Sequence, residues 1–131
     1  MNFRYNRSKV SFVYEADSLT VDIDLGFSIV LRDKRIRLHR IDSPHVGSDS
    51  VEEKKAACVA KDFVRQRLQE VANTVYIKTY KCKKYGQYSA DVWLSEENAV
   101  TALWETTLNF LLLKENLVRE FSIPNEVLIN G

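Results

Sequence analysis

Close-spaced cysteines, a membrane-length apolar run and an excess of either charge are what this chain lacks. Cys58 and Cys82 have no neighbouring partners, so no metal knuckle is indicated, and reduced thiols are expected. No stretch approaches the roughly 20 apolar residues of a bilayer span. The start Met1-Asn2-Phe3-Arg4-Tyr5-Asn6-Arg7 has no apolar signal core. The expectation is a chain without membrane association, resident in a cytoplasm. With 19 basic and 18 acidic residues the net charge is only +1, which argues against wholesale coating of nucleic acid. No repeat, low-complexity tract or linker breaks the 131 residues. One domain over 1–131 is therefore expected, long enough to bury a core without staples.

The charge that is present is unevenly placed. Arg4, Arg7 and Lys9 precede the first acid, Glu15, and Arg32, Lys34, Arg35, Arg37 and Arg40 crowd a second segment. Lys78, Lys81, Lys83 and Lys84 form a third, interleaved with Tyr76, Tyr80, Tyr85 and Tyr88. Basic residues among aromatics suit a single-stranded nucleic-acid or nucleotide site, where bases stack and phosphates pair. Lysines solvating a hairpin and tyrosines packing outside a barrel are the competing reading.

Periodicity supplies the elements. Val10–Tyr14, Leu19–Asp24, Arg35–Ile41, Val75–Tyr80 and Gln87–Leu94 read as strands. Ser50-Val51-Glu52-Glu53 has the spacing of a capping box. Beyond it Ala56, Val59, Ala60, Phe63, Val64 and Val71 recur at helical spacing, which predicts a helix from about Ser50 to Leu68 with Phe63 buried. A shorter helix over about Thr107 to Glu115 would end at Asn116, a residue that tolerates a left-handed terminus. Five strands with two to three helices predict a small α+β, mainly β, OB-type barrel.

Arg37-Leu38-His39-Arg40-Ile41-Asp42-Ser43-Pro44-His45 carries the chemistry. Alternation along a strand places Arg37, His39 and Ile41 on one face. Pro44 pushes Ser43 into an extended conformation and ends the strand at Asp42. An arginine and a carboxylate converging there suit a phosphate beside a divalent metal; an ion pair closing a strand is the alternative.

With its surroundings the stretch resembles the staphylococcal nuclease (thermonuclease) family, whose hallmark is Arg-Leu-x-x-Ile/Val-Asp-x-Pro-Glu. Glu15-Ala16-Asp17-Ser18 answers the family's Asp-Gly-Asp-Thr, and Lys84-Tyr85-Gly86-Gln87 its Lys-Tyr-Gly-Arg. Asn109 to Val118 answers its Asn-x-x-Leu-x-x-x-Gly-x-Ala helix. The four motifs cover about 10–121, and Val21 to Phe27 is similar to stand-alone versions carried by bacteriophages. The resemblance implies a staphylococcal-nuclease-like barrel. It implies a weak calcium site from Asp17, Asp42 and the Ser43 carbonyl, and Arg37 as phosphate clamp. It also implies Lys84 and Tyr85 on a neighbouring phosphate.

Two family catalytic positions are altered. Gln87 replaces an arginine and cannot stabilise developing phosphate charge as a guanidinium does. His45 replaces a glutamate. The function expected is therefore a degenerate nuclease-like domain that binds a nucleotide or single-stranded nucleic acid with little or no phosphodiesterase activity. A phage origin would place it in the host cytoplasm, acting on host defence, on a nucleotide signal or on a host protein. The alternatives are an active calcium-dependent nuclease using His45 as base, and a protein-interaction module on the same scaffold.

Overall fold

A computed structural model describes residues 5–81 and 88–120, and in it the alternation of the sequence becomes the wall of a barrel. The wall starts with β1 (Asn6–Glu15), β2 (Ser18–Gly26) and β3 (Ile29–Leu38). The two-residue β4 (Ile41–Asp42) and the helix α1 (Val51–Glu70) come next. Then follow β5 (Thr74–Lys81), β6 (Tyr88–Trp93), α2 (Glu96–Thr101), a 3-10 turn (Trp104–Thr106), α3 (Leu108–Lys114) and β7 (Arg119–Glu120). Around the barrel the order is β1-β2-β3-β6-β5, closed by β5 on β1. Only the β3–β6 pairing in the barrel is parallel. Over the described residues the fold is an OB-type five-stranded barrel with three α-helices, and α1 links its third and fourth strands.

Leu19, Val21, Ile36, Val75, Ile77, Ala90 and Val92, at 0–1% exposure, fill the interior. Burying each larger one contributes about 1.5–3 kcal/mol before the cost of ordering it. Ser50 caps α1 as expected, its hydroxyl accepting the Glu53 N–H at 3.2 Å. The Glu53 carboxylate does not complete a reciprocal box. It accepts the His45 backbone N–H at 3.1 Å instead, which ties the helix start to the loop after β4.

Three expectations need correction. The face of α1 turned to the barrel is Ala57, Ala60, Val64 and Leu68, while Ala56 and Val59 are exposed. Phe63 is consequently half-buried, flanking this seam with the Arg67 guanidinium 5.2 Å from its ring. The strand expected from Arg35 to Ile41 is broken at Arg40, whose φ of 70° is left-handed. That turn reverses the alternation, so Arg37 is exposed and Ile41 joins the core at 1% exposure. The helix α2, capped by the Ser95 hydroxyl on Asn98 N–H at 3.2 Å, was signalled by Ser95-Glu96-Glu97 but is not among the expected elements.

Leu68→Ala is expected to cost about 2–5 kcal/mol, and Phe63→Ala less, because only Leu68 leaves an enclosed cavity. Urea midpoints of the two variants check this, and the reverse order would put Phe63 on the buried face.

Candidate functional site

The β1–β2 turn brings Asp17 against the end of β3. Ser18 pairs with Arg37 across β2 and β3, and the Asp17 carbonyl accepts the Leu38 N–H at 2.8 Å. Ala16 is 1% exposed and packs into the core. It is not among the left-handed residues, so a methyl group there needs no special backbone.

Asp17 is 2% exposed, and a carboxylate so enclosed needs partners. Its Oδ2 accepts from Arg37 Nη2 at 3.0 Å and from the Ser43 N–H at 3.1 Å. Arg37 Nη2 also lies 3.6 Å from Asp42 Oδ1. Turn, strand end and β4 thus meet on one guanidinium whose side chain is still 47% exposed. Among the described residues its Nε and Nη1 make no hydrogen bond or ion pair, so donors remain for an incoming anion.

Beyond Asp42 an open pocket of about 350 Å³ lies between β4, the first turn of α1 and the segment joining α3 to β7. Asp42, Ser43, Pro44 and His45 form its near wall. His45 is a largely exposed loop residue that is nonetheless held in place. Its Nδ1 meets Glu15 Oε1 at 3.3 Å, and Glu15 Oε2 accepts the Val46 N–H at 2.9 Å. The hydrogen bond and charge of Glu15 raise the His45 pKa above the ordinary histidine value. Hydrogen bonds from the Ser48 hydroxyl and the His45 N–H hold the Glu53 carboxyl below the usual range. The structure therefore joins Arg37, Asp17, Asp42 and Ser43 directly, and sets His45 beside them. Lys84, Tyr85 and Gln87 lie outside the described residues.

Asp17, Asp42 and the Ser43 carbonyl are hard oxygen donors of the kind calcium takes. Both carboxylates approach the same point, the position of Arg37 Nη2, so in chemistry they fit a divalent cation. In number they fall short. Among the described residues no group of three or more His, Cys, Asp or Glu side chains is placed to hold a metal. Water would have to supply the remaining ligands, and Arg37 would have to yield its place.

Most arginines of the second basic segment are engaged within the protein. Arg32 pairs with Asp22 at 3.5 Å, and Arg35 covers the Tyr14 ring at 3.7 Å. Arg40 covers Trp104 at 4.5 Å and pairs with Glu120 at 3.3 Å. Tyr76 packs edge-on against Tyr5, with ring centroids 5.9 Å apart.

One polar cluster escaped the reading of single positions. The Tyr80 ring stacks on His39 at 4.3 Å, its hydroxyl donates to Asp91 Oδ2 at 2.8 Å, and His39 Nδ1 meets Ser89 Oγ at 3.1 Å. Burial lowers the His39 pKa and raises those of Asp91 and Tyr80. The alternation of Ser89 and Asp91 with apolar Ala90 and Val92 was the available signal.

Asn109 was read only as part of a motif. It is fully buried, and its amide donates to the His39 and Ala90 carbonyls and accepts the Val92 N–H, each at 3.0 Å. No protein-family model and no curated protein matches this chain. Among the described residues no helix is long and apolar enough to cross a membrane.

Proposed function

We propose that this barrel is a staphylococcal-nuclease-like domain that binds a nucleotide or single-stranded nucleic acid without efficiently cutting it. The supporting observation is Arg37, fixed from behind by a buried carboxylate while its outer donors have no partner among the described residues. Such a guanidinium loses little freedom when it takes a phosphate. A divalent cation taken by Asp17 and Asp42 would displace Arg37 from their carboxylates, turning the whole guanidinium toward the phosphate. Gln87 and His45, in place of the charged pair, explain weak or absent hydrolysis. On this reading the protein acts in the cytoplasm, and for a phage protein that is the host's, where it sequesters a nucleic acid or nucleotide signal.

Arg37→Ala is expected to weaken binding of a short labelled single-stranded oligonucleotide by about tenfold or more, since charge-assisted hydrogen bonds contribute roughly 1.5–3 kcal/mol. Lys34→Ala, on an exposed part of β3, should change it much less. Wild-type affinity should also fall with added salt. Fluorescence anisotropy measures all three, and equal binding by the two variants would remove Arg37 from the site.

A second reading has an observation of its own. Glu15 orients the His45 imidazole as a carboxylate orients the base in many hydrolytic sites, which favours a phosphodiesterase using His45. Metal-dependent loss of single-stranded DNA by wild type, absent in His45→Ala, would establish it.

A further inference from the structure

The pocket beside Arg37 holds polar groups that have no hydrogen-bond partner among the described residues. Arg119 stands opposite Asp42 in the β4–β7 pairing and lines the pocket. Among the described residues its side chain makes no hydrogen bond or ion pair, although its charge reaches Glu53, and the side-chain amide of Asn116 on the same wall makes none either. Asn116 sits at φ 58°, the left-handed residue that ends the α3 segment, so its side chain is presented at a turn. Glu53, also on the pocket wall, keeps acceptor capacity beyond its bonds to the His45 N–H and the Ser48 hydroxyl, since a carboxylate has about four lone-pair sites. Ala56 and Leu117 give the pocket apolar surface, and Val118, 8% exposed, lies on the same wall.

Charge tells what such a pocket can take. Two arginines, Arg37 and Arg119, stand against four carboxylates, those of Asp17, Asp42, Glu53 and Glu15, with the His45 imidazole between them. The neighbourhood therefore has no excess of positive charge whatever the state of His45, and a bare polyanion has little to gain in its interior. A neutral, flat molecule with donors and acceptors on its edge has more. It can lie on Ala56 and Leu117, stack under a guanidinium and pair with an amide and a carboxylate. The volume of about 350 Å³ falls within the roughly 300–1,000 Å³ usual for small-molecule sites. Asp42 belongs both to the pocket wall and to the Arg37 cluster, so a ligand in the pocket has its next group at the guanidinium.

We infer that this pocket is a nucleoside subsite: base and sugar enter between Ala56, Asn116 and Arg119, and the attached phosphate reaches Arg37. The inference rests on the phosphate-binding reading above, which it extends from a clamp to a complete mononucleotide site. Asn116 and Arg119 supply donors to the base edge, and Glu53 supplies the acceptor.

Calorimetry with nucleosides, nucleoside 5′-monophosphates and inorganic pyrophosphate separates the two claims. Ala56→Phe fills the pocket from an exposed helical position, so the fold should survive, and unchanged thermal melting will check that. It is expected to weaken nucleoside and nucleotide binding tenfold or more while leaving pyrophosphate binding unchanged. Arg119→Gln should weaken both nucleosides and nucleotides several-fold. Arg37→Ala should spare nucleosides and weaken only the phosphorylated ligands. Nucleotide affinity that drops in Arg37→Ala but not in Ala56→Phe or Arg119→Gln overturns the nucleoside subsite and leaves the clamp standing. Nucleosides lost in Ala56→Phe, with no effect of Arg37→Ala on any phosphate, support the pocket and overturn the clamp. Absence of binding by every ligand overturns both.

Discussion

Asn109→Ala is expected to destabilise the protein by about 2–5 kcal/mol and to lower Tm by roughly 10 °C. The side chain is fully buried, and alanine would strand the Val92 N–H and the His39 carbonyl inside the protein. Each group stranded without water costs about 1–3 kcal/mol. The Ala90 carbonyl would suffer less, because it also accepts the His39 N–H at 2.8 Å. The consequence reaches the site. Asn109 fastens α3 to the stretch between β3 and β4, so its loss frees the turn at Arg40 that aims Asp42. Urea denaturation followed by circular dichroism measures the effect. A loss below about 1 kcal/mol would show that the stranded groups find other partners.

Wild type is expected to leave single-stranded DNA essentially intact in the presence of calcium, and the double change His45→Glu with Gln87→Arg to introduce cleavage. A well-placed donor to a developing anion is worth about 10²–10³ in rate, so a gain of at least about a hundredfold should be seen as fluorophore release from a quenched oligonucleotide. Each single change should yield less, since the two groups act on one transition state. His45→Glu also sets a carboxylate against Glu15, where the native imidazole now sits at 3.3 Å, and a small loss of stability should accompany it. Asp42→Ala in the double variant should abolish the gained activity. Wild-type cleavage at the rate of the double variant would instead make the Glu15–His45 pair the working base. If neither protein cuts although both bind calcium, the geometry around Asp17 is at fault rather than the two altered positions.

Most of the barrel was legible along the chain, because an inward-facing strand leaves its period locally. Leu19, Val21 and Ile23 alternate whether or not their partners are known, and Ser50 followed by Glu53 marks a helix start by itself. The residues gathered at the strand end, Asp17, Arg37, Asp42 and Ser43, were likewise chosen by motif and order, and the fold places them within reach of one another.

What the chain could not announce depends on where distant backbone arrives. Ala56 and Ala57 are equally apolar, and the packing of α1 on β1 decides that Ala57 faces inward. A left-handed Arg40 shows only when the chain must turn into β4, and it moves Ile41 from the face of Arg37 into the core. Glu15 and His45 are 30 residues apart, Asn109 and His39 are 70 apart, and Arg119 meets Asp42 only across β4 and β7. Sequence patterns carry the short-range preferences of each residue, which were enough to specify strands, helix starts and a conspicuous arginine–aspartate pair. Which polar atoms end up satisfied, and which, like Arg119, find no hydrogen-bond partner among the described residues, is set by long-range packing, because a hydrogen bond requires its two groups to be brought within about 3 Å in the folded chain.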